Sequence, residues 1–396
     1  MELRPGRATA LFYCHDTIGL GHFRRTISIA SALTRRRPDL TALVATGSPL
    51  AHAFRLPDGV DYLKLPSVAK VGADRYAARP LGLEFRELSA FRSELLATAA
   101  RHLRPDLVVV DNVPAGLAGE LHPALRALQG RSRIVLGLRD VVDEPTRVRR
   151  SWTQDGSYEL LEEVYDRILV YGERDVFDVA AGYALPPAAA DKTRYVGYLA
   201  RQPRPSPVRP GRRRPLVLVT AGGGEDGGTL LRAALAARAS ADADSAAWLV
   251  VTGPFLPAEE RAALEAVARR LPATQLVDFV EDLPAWMQTA DAAVSMAGYN
   301  SVCELLSCGT PAVLVPRVEP RVEQLLRARA LERRGLVRVI DPRELSPELL
   351  AEHVAALVHG DAPRGRPVDL SGLEGAAAEL LPLLDGQAPA LEEARA

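Results

Sequence analysis

A short apolar run, a glycine-containing loop and a helix-length stretch recur along the chain, and that recurrence constrains its fold most. TALFYC (9–14) leads into HDTIGLGH (15–22), then into a stretch with Ile27, Ala30 and Leu33 on one face. LTALVAT (40–46), LVVV (107–110) and the segments 134–138 and 168–170 are further apolar runs without polar alternation. Runs of this kind, spaced widely enough for helices, predict a parallel sheet covered on both faces. The pattern stops near Gly197, and QPRPSPVRPGRRRP (202–215), dense in Pro and Arg, reads as a linker. It restarts with LVLVT (216–220), AGGGEDGG (221–228) and a helix over 229–239. Strands are expected at 248–252, 275–279, 292–295, 312–315 and 337–340, with a helix at 301–307. The fold class is therefore α/β: two Rossmann-like parallel-sheet domains facing across a cleft, 1–201 and 216–385, with a frayed tail at 386–396. Ligands of such sheets sit at the carboxyl ends of the strands, where the glycine-rich loops of both halves fall.

Hydrophobic residues make up 47% of the 396, enough for two cores, so disorder is excluded for most of the chain. Lys+Arg (49) nearly equals Asp+Glu (50), which argues against a nucleic-acid partner. Lys64, Lys70 and Lys192 are the only lysines; coding bias explains the arginine excess better than phosphate binding does. Cys14, Cys303 and Cys308 form no Cys-x-x-Cys pair, which excludes a disulfide framework and disfavours structural zinc. The first eight residues do not read as a signal peptide, and no apolar run approaches the ~20 residues of a membrane span. The expected location is the cytoplasm.

Gly19 and Gly21 allow the first loop to turn tightly and approach a ligand. A dinucleotide fingerprint would need glycine where Arg24 stands and an acid where Thr46 and Gly47 stand, so that reading is rejected. His22 near the helix start can serve as a general base. Asp111 follows LVVV directly and projects from the same sheet edge, where a carboxylate can orient the imidazole and stabilise its protonated form. The competing reading makes Asp111 an Asx-turn in DNVP. His15 and Asp16 are rivals on the same loop.

In the second half, Gly222, Gly223 and Gly224 lie between a strand and a helix, a geometry suited to phosphate; no Walker Lys-Ser/Thr follows. In SMAGYNSVCE (295–304) the strand delivers Gly298 and the helix begins near Asn300 and Ser301, making an anion site. Glu304, one turn on, can accept hydrogen bonds from a ribose diol. Glu323 and Gln324 open another helical stretch at a strand end, where paired polar groups can read sugar hydroxyls, or where acid merely suits the helix dipole.

The ordered series TAGGG, DFVEDLPAWMQTADAAVS, AGYNSVCE, CGTPAVLVP and EQ resembles the donor-binding domain of GT-B glycosyltransferases. It is most similar to family 28, which includes the lipid II-forming GlcNAc transferase. GLGHFRR and TRYVGYLAR extend the resemblance into the first half, so that it covers roughly residues 11–337. Met296 replaces the family's arginine, and the first loop departs from Gly-Gly-x-Gly-Gly-His, so the chain reads as a less familiar branch. The resemblance implies an acceptor-side domain at 1–201 and a nucleotide-sugar domain at 216–385. It implies that Phe279, Val280 and Leu283 hold the nucleobase; Gly298, Asn300 and Ser301 the diphosphate; Glu304 the ribose; and Glu323 and Gln324 the sugar. His22 with Asp111 resembles the base dyad of plant and antibiotic glycosyltransferases.

The implied reaction is inverting transfer from a nucleotide sugar, UDP-linked by expectation, to the hydroxyl of a small molecule or lipid-linked glycan. It calls for no cofactor and no divalent metal. Two other readings remain open: a GT-B-fold nucleotide-sugar 2-epimerase, and a catalytically silent nucleotide-sugar-binding protein. A lipid-linked acceptor would imply peripheral contact at the inner membrane face. Arg147, Arg149 and Arg150 with Trp152 could contact lipid headgroups, but read better as a solvated face.

Overall fold

The structure is a computed structural model and describes residues 8–15, 21–70, 76–78, 81–201, 214–240 and 246–385. Gly19 and Asp16, most of the expected linker, and the expected frayed tail lie outside the described residues.

The first unit comprises residues 1–199 and 371–396. Its elements in order are β1 (Thr9–Cys14), α1 (Gly21–Arg36), β2 (Thr41–Thr46), β3 (Val60–Lys64), β4 (Val68–Lys70), β5 (Tyr76–Ala78), α2 (Phe85–Leu103), β6 (Leu107–Asp111), α3 (His122–Leu128), β7 (Arg133–Arg139), α4 (Pro145–Gln154), α5 (Ser157–Glu163), β8 (Arg167–Tyr171), α6 (Val179–Gly182), α7 (Pro187–Asp191) and β9 (Thr193–Tyr195). The seven-stranded sheet has the order β3-β2-β1-β6-β7-β8-β9, and every neighbouring pair is parallel. β1, β6 and β8 are buried along their whole length, as strands covered on both faces require.

The second unit is residues 200–370. It contains β10 (Leu216–Thr220), α8 (Gly228–Ser240), β11 (Ala247–Val251), α9 (Ala258–Ala268), β12 (Thr274–Val277), α10 (Leu283–Thr289), β13 (Ala292–Ser295), α11 (Tyr299–Cys308), β14 (Ala312–Leu314), α12 (Glu323–Arg333), β15 (Arg338–Val339) and α13 (Pro347–Val358). Its six-stranded sheet runs β12-β11-β10-β13-β14-β15, again all parallel. Strand order reverses beside β1 in the first unit and beside β10 in the second, and each reversal is a switch point where ligands bind such sheets.

The last helix, α14 (Gly372–Leu384), departs from the expected second domain and belongs to the first unit. Two glycines make this possible. A Cβ on Gly372 would stand 2.5 Å from the Gly197 carbonyl oxygen, and one on Gly375 2.6 Å from that of Val196. The Gly372 N–H donates to the Tyr198 carbonyl at 3.0 Å, and Arg167 pairs with Glu379 at 3.2 Å.

Candidate functional site

Parallel pairing of β1 with β6 puts Cys14 opposite Asp111, so the carboxylate stands at the same sheet edge from which the chain leaves toward α1. Gly21 and His22 open that helix. The His22 Nδ1 is 2.5 Å from the Asp111 Oδ2. Because a carboxylate only accepts, Nδ1 carries the proton and Nε2 keeps its lone pair. The turn after Asp111 is closed by its backbone: Val113 N–H donates to the Asp111 carbonyl at 2.9 Å. The Asp111 side chain is therefore engaged elsewhere than in an Asx-turn.

Arg25, one helical turn beyond His22, completes the group. Its Nε and Nη2 donate to the Asp111 Oδ1 and Oδ2 at 2.9 and 2.7 Å, a side-on two-bond pair. Its Nη2 is also 2.9 Å from the His22 Nδ1, a meeting of two donors once Nδ1 is protonated. Burial pushes the His22 imidazole down, to about 4; Asp111 pulls it up, and Arg25 and Arg139 push it down. Burial acts to raise the Asp111 carboxyl, but Arg25 and His22 hold it well below the usual carboxylate range. The sequence reading missed Arg25, although its i, i+3 spacing from His22 was the available signal. The rival His15 lies in an edge-on ring contact with His22, centroids 6.2 Å apart.

In the second unit, Thr220 pairs with Val251 on one side and Ser295 on the other. Three loops therefore leave adjacent strand ends. Gly222 and Gly224 have φ of +64° and +94°, and a Cβ on Gly224 would lie 2.4 Å from the Thr252 carbonyl oxygen. The turn at 222–224 interlocks with Gly253 (φ +88°), which the sequence reading missed: a Cβ there would stand 2.5 Å from the Gly222 carbonyl oxygen. The Ser301 Oγ comes within 3.9 Å of the Cβ positions of Gly222 and within 4.0 Å of that of Gly298. Gly298 is the N-cap of α11 and supplies no capping side chain, so the first turn of the helix opens beside the glycine turn. Asn300 and Ser301 lie in that turn, and Glu304 is buried one turn further on.

β12 ends at Val277, so Phe279 and Val280 fall in the following loop; Phe279 is 65% exposed, and Leu283 is the first residue of α10. Glu323 and Gln324 open α12, both buried. Arg317, absent from the sequence reading, ties them together. Its Nη2 donates to the Glu323 Oε1 at 2.5 Å, its backbone N–H to the Gln324 Oε1 at 3.1 Å, and its Nη1 to the Asp226 Oδ2 at 2.8 Å. Asp226 belongs to the loop that begins with the three glycines, so one guanidinium links that loop to the start of α12.

In the first unit, Trp152 is buried against Tyr158 and Tyr183, while Arg149 and Arg150 are exposed. A tryptophan so placed is no membrane anchor. No helix among the described residues is long and apolar enough to cross a membrane. The chain's one Asp-x-Asp pair, Asp242 and Asp244, lies outside the described residues.

Residues 216–365 match the glycosyltransferase family 28 C-terminal domain. Over 101 residues the chain is 33% identical to the UDP-N-acetylglucosamine–N-acetylmuramyl-(pentapeptide) pyrophosphoryl-undecaprenol N-acetylglucosamine transferase of Corynebacterium efficiens, 26% of each chain. It is 31% identical over 117 residues to the enzyme of the same name from Syntrophotalea carbinolica, 28% of this chain and 32% of that one. The chain thus spans about a quarter to a third of the curated relatives it matches. Among solved structures, it is similar to MurG of Acinetobacter baumannii (TM-score 0.61, 15% identity, 95% of this chain and 99% of that one). It is also similar to the glycosyltransferase SnogD of Streptomyces nogalater (TM-score 0.58, 24% identity, 97% of each). At these identities the structural likeness is one of fold: two parallel α/β units of the GT-B type.

Proposed function

We propose that this family 28-like chain of GT-B fold is an inverting, metal-independent hexosyltransferase, moving a sugar from a UDP-linked donor to a hydroxyl acceptor. The observation that carries the reading is the His22–Asp111 pair, with Nδ1 turned to the carboxylate and Nε2 left to take a proton. A protein that only bound nucleotide sugars would have no use for an imidazole so oriented.

In this mechanism the acceptor oxygen attacks the anomeric carbon as its proton passes to His22 Nε2, and the bond to the diphosphate oxygen breaks with its electron pair. Asp111 holds the ring. The first-turn amides of α11 with Ser301, and the turn Gly222, Gly223 and Gly224, meet the charge on the departing diphosphate. Phe279, Val280 and Leu283 take the base, Glu304 the ribose hydroxyls, and Glu323 and Gln324 the sugar. UDP is favoured because the relatives' names carry UDP-N-acetylglucosamine. The acceptor is a small molecule or a lipid-linked glycan; the latter would bring a cytoplasmic enzyme to the inner membrane face.

UDP or a UDP sugar is expected to raise the melting temperature by mass action. An unchanged melting temperature with saturating UDP, UDP-GlcNAc and UDP-glucose would end the uridine assignment. Incubation with donors and an acceptor panel in EDTA should yield a new glycosidic bond. An epimerised nucleotide sugar alone would establish the epimerase, and tight binding without any product the silent protein.

Glu304→Ala is expected to raise the donor KM far more than it lowers kcat, because a ribose contact remote from the reacting carbon gives binding common to ground and transition states. A large fall in kcat at unchanged KM would move Glu304 from binding to chemistry.

A further inference from the structure

Asp111 is arranged unlike a carboxylate that serves a histidine alone. Both of its oxygens are held by Arg25, at 2.9 and 2.7 Å, and the oxygen that receives the His22 proton is one of the two. The guanidinium also stands almost as near the ring as the carboxylate does: Nη2 is 2.9 Å from Nδ1, Oδ2 is 2.5 Å. Coulomb energy falls as the inverse of distance, so the guanidinium offsets part of the carboxylate's pull on the imidazole. Arg25 and Asp111 are both buried, which keeps water from screening either.

Among the described residues, the other strands offer the ring no compensating anion. Arg139, at the end of β7, adds positive charge and is steadied by the Asn112 Oδ1 at 3.2 Å. His15, after β1, presents a ring. From β8 comes the Tyr171 hydroxyl, which burial keeps protonated, the charge of Asp111 adding to the effect. Protonating His22 therefore gains less from Asp111 than it would without Arg25, while burial opposes it.

We infer that Arg25 is a positioning residue that sets the strength of the base: by occupying both oxygens of Asp111 it makes His22 a weak base, matched to acceptor hydroxyls more acidic than an alkanol, such as phenols and enols. The inference rests on the reading of His22 as the base. Its logic is that of general-base catalysis, in which a weaker base serves best where the departing proton is already loosely held. Arg25 does not touch the acceptor; it acts through Asp111.

The test begins with a readout that needs no turnover. In the full-length protein labelled at the histidine Cε1 carbons, the His22 signal, identified by its loss in His22→Ala, is titrated by NMR. The wild-type midpoint is expected at least one pH unit below the ordinary ~6.5 of histidine. Arg25→Gln should raise it by a unit or more, and Arg25→Lys, which keeps the charge but loses the two-bond fork, by less. A wild-type midpoint near 6.5, or one that Arg25→Gln leaves unmoved while the melting temperature falls, overturns the role and leaves Arg25 as a structural tie. Should Arg25→Gln fail to fold, Arg25→Lys carries the test: a midpoint that it leaves at the wild-type value overturns the role. For the acceptor class, kcat/KM is measured over phenols of graded acidity and a cyclohexanol. Transfer that favours the more acidic phenols supports the inference; preference for the alkanol overturns it. If no acceptor yields product, the transferase reading falls and the acceptor class with it, while the ring titration still judges Arg25.

Discussion

His22→Ala should lower kcat by ~10²–10⁴-fold, the usual worth of a positioned general base, and leave UDP affinity close to wild type. The two effects separate because His22 belongs to the first unit and the glycine turn, α11 and Glu304 to the second. Kinetics with a competent acceptor, beside UDP binding by calorimetry, check both halves. Near-wild-type kcat would send the search to His15 and Asp16. The pH profile refines the expectation. A histidine with an ordinary pKa would lose activity just below neutrality. Burial, Arg25 and Arg139 instead keep His22 unprotonated to lower pH, so the acidic limb should lie nearer pH 4 than 6.5. The same shift has a sign for stability. The unfolded chain binds the His22 proton near pH 6.5 and the folded chain only near 4, so acidification through that window favours unfolding.

The candidate site of the second unit was the more legible in sequence, for a physical reason. Its features are mostly main chain: glycines that only a tight turn requires, and a helix N-terminus that follows a strand directly. Such features leave marks at fixed spacing, as at Gly222, Gly224 and Gly298. The dyad was legible too, because Asp111 ends a strand and His22 opens a helix. The arginines were not. Arg25 and Arg317 are two among many in an arginine-rich chain, and only folding shows which of them meet buried carboxylates. Spacing also hid α2. Its buried apolar positions, Leu88, Leu96, Ala97 and Ala100, are sparse along a charged surface, and its start depends on a reciprocal cap between Glu84 and Glu87. α14 was misassigned because a helix carries no mark of which sheet it will cover. Only the close approach of Gly372 and Gly375 to the 196–198 backbone reveals it.

The second large effect expected is on stability. Glu120 and Arg92 are fully buried and joined by two bonds, Nε to Oε2 at 2.6 Å and Nη2 to Oε1 at 2.7 Å. The Tyr13 hydroxyl donates to the same Oε1 at 2.8 Å and accepts from the Leu117 N–H at 2.9 Å. Arg92 also reaches the Pro66 carbonyl at 2.6 Å, so the cluster ties β1 and α2 to the chain before β4 and the turn before α3. Glu120→Ala would strand a guanidinium with no access to water. Breaking a buried pair in this way costs ~3–5 kcal/mol, a large share of a typical domain's stability. Urea unfolding at neutral pH should show the loss as a lower midpoint with little change in slope. The double variant Glu120→Leu with Arg92→Met should recover much of it, because the penalty lies in the abandoned charge more than in the lost attraction. Equal losses in the single and double variants would mean that the bonds themselves, and not relief of a buried charge, hold this part of the first unit together.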